Sequence, residues 1–188
     1  MKYTFALRLL VLAALATTSV CYAQQGKPKP SPILRAPLSS LQEIQELIRT
    51  TRALEAKLLS GLSYQDYSRE VGNLAAAVSA VDELPQSQKV ATLHEDLRIL
   101  LKRYQNAKEI WGACLGSTKC SKRMFILFEE NDALTLQLIS VIETLPTEKK
   151  NRLHGTSGTF DATYIPDVLI ALWSDATERG QAIRELVR

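Results

Sequence analysis

From residue 40 onward, apolar residues recur at intervals that alternate between three and four, with polar residues between them. That spacing keeps the apolar side chains on one face of an α-helix, whose repeat is 3.6 residues. The first such stripe is Leu41, Ile44, Leu47, Ile48, Leu54, Leu58 and Leu62, interrupted at Thr51. Ser40-Leu41-Gln42-Glu43 fits a capping box at its start, and Gly61 is a stop signal. The second stripe is Tyr64, Tyr67, Val71, Leu74, Val78 and Val81, with Ser63 and Asp66 forming another capping pattern and Pro85 marking the end. Tyr64 and Tyr67 would pad one end of the core with their hydroxyls in water. Ala75, Ala76 and Ala77 leave room for a close neighbour.

The third stripe, near 87–113, runs Val90, Leu93, Leu97, Leu100, Tyr104, Ala107, Trp111 and Cys114. A fourth helix is predicted near 122–144. It opens on the unbroken apolar run Met124–Phe128, continues through Leu134, Leu138, Val141 and Leu145, and is stopped by Pro146. A polar connection from Thr147 to Tyr164 follows. The fifth helix starts near Pro166, an accepted first-turn residue, and carries Ile165, Leu169, Leu172, Ala176, Ile183 and Val187, with Trp173 beside them. No segment shows sustained strand alternation. The expectation is an all-α, up-and-down bundle of about five amphipathic helices, each roughly 30–40 Å long at 1.5 Å per residue.

Between the third and fourth patterns lies Trp111-Gly-Ala-Cys114-Leu-Gly-Ser-Thr-Lys-Cys120. Gly112 and Gly116 loosen the helix end, and Ser121 can cap the next helix. Two cysteines flanking a short turn between antiparallel helices can reach the Cα separation of roughly 4.4–6.8 Å that a disulfide needs. Closing so short a loop stabilises a fold by about 2–2.5 kcal/mol in the chain-entropy treatment. A zinc site would need two more ligands nearby, and a thioredoxin-type site would need Cys-x-x-Cys. A disulfide-closed hairpin tip, Cys114 to Cys120, is therefore the expectation.

A disulfide requires an oxidising compartment, and residues 1–23 supply a reason to expect one. Lys2 and Arg8 precede the apolar stretch Leu9–Ala16, which is too short to span a bilayer, and Cys21-Tyr22-Ala23 places small residues where a signal peptidase reads. A lipoprotein reading would instead anchor Cys21, but Val20 is bulky where such sites want a small residue. Residues 24–37 hold Pro28, Pro30, Pro32 and Pro37 with Lys27, Lys29 and Arg35, an extended linker by composition. Residues 38–188 would form the bundle domain.

Of the 23 basic residues, two lie in 1–23, which has no acidic residue. The remainder carries 21 basic against 20 acidic residues, a net of +1. So small a charge argues against bulk nucleic-acid binding. Candidate chemistry is sparse. His94-Glu95-Asp96-Leu97-Arg98 lacks the second histidine of a zinc-protease helix, so His94 reads as a partly exposed structural residue. Asn131 falls within an apolar stripe and would fix helix register. Glu129, Glu130 and Asp132 form a charge run that reads as a solvated face. Arg152 to Thr159, with its glycines and hydroxyls, hints at an anion cradle but lacks the Gly-Lys-Ser/Thr of a phosphate loop. No catalytic set, cofactor motif or metal-ligand constellation emerges.

What remains is an exported (periplasmic or secreted) non-enzymatic helical module that binds a protein or an anionic envelope component, with no transmembrane helix in the mature chain. One alternative is a bundle holding an apolar small molecule or lipid chain; another is an enzyme with a dispersed site. An up-and-down bundle would gather Lys57, Lys108, Lys119, Lys122, Arg123 and Arg188 at the disulfide end, with Glu109 and Glu185 as partial offsets. Lys119, Lys122, Arg123 and Lys108 form the candidate interaction tip. Intact mass of the exported protein should show a chain beginning at Gln24; retention of Met1, or a lipid on Cys21, would contradict this reading.

Overall fold

The computed structural model describes residues 41–84, 88–117, 120, 125–127, 133–154 and 162–188. Its elements are α1 (Gln42–Ser60), α2 (Tyr64–Asp82), α3 (Gln88–Leu115), β1 (Phe125–Leu127), α4 (Ala133–Glu143), α5 (Thr147–His154), β2 (Ala162–Tyr164) and α6 (Ile165–Leu186). The fold is an all-α bundle, to which the described residues add a short two-stranded ribbon.

The stripes read from the sequence form the core. Ile44, Leu47 and Leu54 of α1, Val71, Leu74, Val78 and Val81 of α2, and Val90, Leu93, Leu97, Leu100, Tyr104 and Ala107 of α3 are all buried. So are Leu138 and Val141 of α4 and Ile165, Leu169, Leu172, Ala176 and Ile183 of α6. Thr51, which interrupts the first stripe, is buried too, because its hydroxyl donates to the Leu47 carbonyl at 2.9 Å. Gly61 ends α1 at φ 81°, a conformation that costs a side-chain-bearing residue energy, and its N–H caps back to Leu58 O. Ser63 caps α2 by accepting from Asp66 N at 3.1 Å, as its sequence pattern predicts. At α1 the expected capping box is not the start. Leu41 is the N-cap and no side chain caps it, while Ser40 lies outside the described residues.

Helix directions follow from cross-helix pairs. Lys57–Glu70 sets α1 against α2, and His94 reaches the Val81 carbonyl at the far end of α2 from α3. The most extensive interface is between α3 and α6. Arg103 meets Asp175 and Asp96 meets Arg179, so these two helices run antiparallel.

The predicted fourth helix is divided. Residues 125–127 form β1, antiparallel to β2, with Phe125 opposite Tyr164, Ile126 opposite Thr163 and Leu127 opposite Ala162. A short apolar run has no polar face to give it a helical period, and Phe and Ile suit a strand equally well. Helix resumes at Ala133, and α4 runs back along α3, with Gln137 donating to Glu109 at 3.1 Å. The expected polar connection 147–164 also contains regular structure. Its first eight residues are α5 and its last three are β2. The described residues therefore hold six helices rather than five.

This arrangement reverses the last helix. The β1–β2 pairing returns the chain to the disulfide end before α6 begins. Ile165, Pro166 and Leu169 then stand beside Trp111, Cys114 and Cys120. The C-terminus, with Arg188, therefore lies toward the end of the bundle opposite Cys114 and Cys120, not at the disulfide end as expected.

One buried ion pair ties three elements together. Arg103 Nε donates to Asp175 Oδ2 at 2.6 Å, its Nη1 donates to Thr144 Oγ1 at 2.5 Å, and its Nη2 donates to the Thr144 carbonyl. Both charged side chains are nearly inaccessible to water. Removing one member of such a pair leaves the other charge buried and costs about 3–5 kcal/mol. Arg103→Met should therefore lower stability by that order. Leu97→Ala and Leu138→Ala should each cost about 2–5 kcal/mol through the cavity left behind. Replacing exposed Lys102 should change little. Denaturant titration of the four variants checks this; equal losses at all four positions would contradict the packing.

Candidate functional site

The disulfide end is where sequence chemistry and geometry meet. Cys114 closes the α3 stripe and Cys120 follows six residues later. Their sulfurs stand 2.22 Å apart and their Cα atoms 5.2 Å apart, the separation of a bonded pair. Cys120 is buried and Cys114 half-buried against the core.

Behind the cysteines lies an aromatic cluster drawn from three helices. The Trp111 ring is 5.8 Å from that of Tyr64, 5.5 Å from that of Tyr67 and 5.9 Å from that of Trp173. Tyr67 and Trp173 meet edge to face at 5.8 Å. Such edge contacts pair the positive rim of one ring with the negative face of another. Gly112 makes room for this cluster. It lies within α3, not at a loosened helix end, and a β-carbon there would stand 2.5 Å from Tyr64 Oη.

The Tyr67 hydroxyl is not in water, contrary to the expectation from sequence. It donates to the Tyr104 carbonyl at 2.9 Å and accepts from Trp173 Nε1 at 3.0 Å. Burial pushes this phenol far above the ordinary tyrosine pKa. It is a neutral crosslink between α2, α3 and α6, not an acid or base.

In front of the cluster is an apolar cleft of about 320 Å³, lined by Trp111, Leu115, Ile165, Pro166 and Leu169 together with the two cysteines. Leu115 is 64% exposed at its edge. An exposed leucine beside a tryptophan and a proline gives a concave apolar surface able to receive one apolar group. Of the predicted tip residues, Lys108 is half-buried on α3, less than one turn before Trp111 of this cleft, and Lys119, Lys122 and Arg123 lie outside the described residues. Lys57 is engaged elsewhere. Its Nζ bonds to Glu70 Oε1 at 2.6 Å and holds that carboxyl below the usual carboxylate range.

The remaining candidates resolve differently. His94 is buried, not partly exposed. Its Nε2 lies 3.0 Å from the Val81 carbonyl and its Nδ1 3.5 Å from Asp82, a link between α2 and α3. Glu129, Glu130, Asn131 and Asp132 lie outside the described residues, as do 155–159 of the suggested anion cradle; Arg152 falls on α5. A wider cleft of about 630 Å³ between α1 and α2 is floored by Ala53, Ala76, Ala77 and Ala80. Its charges pair with one another, Arg49 with Glu46 and Lys57 with Glu70. No group of three His, Cys, Asp or Glu placed to hold a metal ion occurs among the described residues. Nor is any described helix long and apolar enough to cross a membrane.

Sequence reasoning named Trp111, Cys114, Ile165, Leu169 and Cys120 but did not assemble them. Leu115 and the role of Pro166 were missed, because the cleft exists only once α6 begins at the α3 end. Comparison with known protein families, with characterised proteins and with solved structures finds no significant match. The class that fold and site define is a helical bundle with a cysteine-flanked apolar cleft at one end.

Peptide mapping without reduction should recover Cys114 and Cys120 in one linked species. Cys114→Ser should cost about 2–4 kcal/mol, since it removes both the link and a packed position. Two freely alkylated thiols in the oxidised native protein would contradict the bridge.

Proposed function

We propose that this chain is an exported, non-enzymatic helical module that binds a partner protein through its disulfide end. The observation that carries the proposal is the apolar cleft beside Cys114 and Cys120, open at Leu115. Stable interfaces centre on a few apolar or aromatic anchors that fill pockets and exclude water, ringed by polar contacts. Here Trp111, Ile165 and Leu169 supply a rigid floor, because each is also packed in the bundle core or against it. Lys119, Lys122 and Arg123 follow Cys114 closely in sequence, so the partner's rim is expected to be acidic. Attraction of that kind steers association and weakens as salt rises.

A cleft of about 320 Å³ also falls within the range of small-ligand pockets, which supports a second reading in which it holds an apolar molecule or lipid chain. Lipid recovered by organic extraction of the mildly purified protein would favour that reading.

The test compares wild type with Leu115→Glu and with Lys119, Lys122 and Arg123 replaced together by Gln. Leu115 is exposed, so its substitution should leave the melting temperature within a few degrees. Quantitative capture from envelope extracts should identify a protein whose recovery falls at least tenfold with Leu115→Glu and which binds less steeply with salt in the Gln variant. The same captured set from all three proteins would overturn the proposal. Binding to phosphatidylglycerol vesicles, lost in both variants, would replace the protein partner with an anionic lipid surface.

A further inference from the structure

The geometry points to a second binding site, between α5 and α6, for a small carboxylate with an apolar body. It lies on the other side of α6 from the disulfide cleft. Leu169 faces that cleft and is buried, while its neighbour Ile170 lines this one and is 59% exposed. The space is about 220 Å³, small enough to require a small ligand.

Its polar end is built around Lys149. This side chain is almost wholly buried, yet Lys149 lines the cleft, as does its hydrogen-bond partner Ser174. Nζ donates to Ser174 Oγ at 3.0 Å and to Glu178 Oε1 at 2.6 Å. An ammonium has three N–H donors, and among the described residues Ser174 and Glu178 take two of them. Arg152, exposed one turn along α5, borders the same space and has no ion-pair partner among the described residues. Its planar guanidinium is suited to grip a carboxylate by two parallel bonds. Leu153, Ala171 and Ile170 make the apolar wall.

The counter-charges indicate which anion fits. Glu178 is more than half exposed, and Lys149 and Ser174 hold its carboxyl below the usual carboxylate range, so it is ionised near neutral pH. Being at the surface, it can turn into water when a ligand takes its place on Lys149. Asp167 lines the cleft as well. With Glu178 turned away, two cations, Lys149 and Arg152, share the cleft lining with one anion, Asp167, and one negative charge restores neutrality. A dianion would overshoot and meet Asp167. The site therefore selects a monocarboxylate over phosphate, and the carboxylate over the alcohol of the same apolar body.

Titration calorimetry on the full chain tests this with hexanoate, 1-hexanol and inorganic phosphate as probes. Hexanoate should bind at least tenfold more tightly than either other probe. Arg152→Gln, at an exposed position, should weaken hexanoate severalfold with the melting temperature unchanged. Glu178→Gln should tighten it severalfold by removing the competing carboxylate. A pair that merely fastens α5 to α6 would give the opposite pattern, lower stability and no gain in affinity. Absence of hexanoate binding, equal binding of hexanol, or indifference of hexanoate affinity to both substitutions would overturn the assignment.

Discussion

The contact on which the architecture turns is the buried bond between the Arg103 guanidinium and the Asp175 carboxylate. Apolar faces attract one another without direction, so α3 and α6 could slide or rotate against each other with little change in buried area. A charge pair hidden from water admits no such freedom, because every displaced register leaves two ions without partners. Arg103 also grips Thr144 through hydroxyl and carbonyl, which anchors the end of α4 at the same point. Arg179 extends the network to Asp175 and Asp96. With α3 and α6 registered, α2 is fastened to α3 by Tyr67 and His94, and α1 to α6 by the Arg184–Glu55 pair at 3.1 Å.

That registration also creates both candidate sites. Each uses the first turns of α6, one on the side toward the end of α3 and the other on the side toward α5. Asp175 lies one turn and a half beyond Leu169 and Ile170, so the position of both clefts is set by the same buried pair. The two differ in kind. At the disulfide end, rings from α2, α3 and α6 make a preformed apolar floor that needs no rearrangement to receive a group. Between α5 and α6, a surface carboxylate occupies the charge that a ligand would claim.

The core was legible because its signal is local. A repeat of three and four is visible within ten residues, and every position from Leu93 to Ala107 assigned to the third stripe is buried. The cysteine spacing carried a second local constraint, and the pair stands at bonding distance. What was not legible depends on contacts between distant segments. Met124–Phe128 has no polar member to reveal a period, and only its pairing with Ala162–Tyr164 makes part of it a strand. The direction of α6 followed from that pairing and could not be read from α6 itself. Arg103, Asp175 and Lys149 look in sequence like ordinary charges on solvated faces. Their burial follows from partners 72 residues away for Arg103 and Asp175, and 25 and 29 for Lys149. The Tyr67 hydroxyl was misplaced for the same reason, since its two partners lie 37 and 106 residues further along the chain.

The aromatic cluster has a spectroscopic consequence. The chain has two tryptophans, and both sit in this one cluster, with ring centroids 5.9 Å apart and two tyrosines in contact. At that distance the indole transitions couple, and Trp111 lines one cleft together with Cys114 and Cys120, whose disulfide is a quenching group. Near-ultraviolet circular dichroism and indole emission will therefore report almost solely on the disulfide end. They will be nearly blind to the opposite end, where α1 and α3 begin and no tryptophan stands. A melting curve followed by tryptophan light and one followed by helix content would thus view two different parts of the same molecule. Their divergence would show which end loosens first.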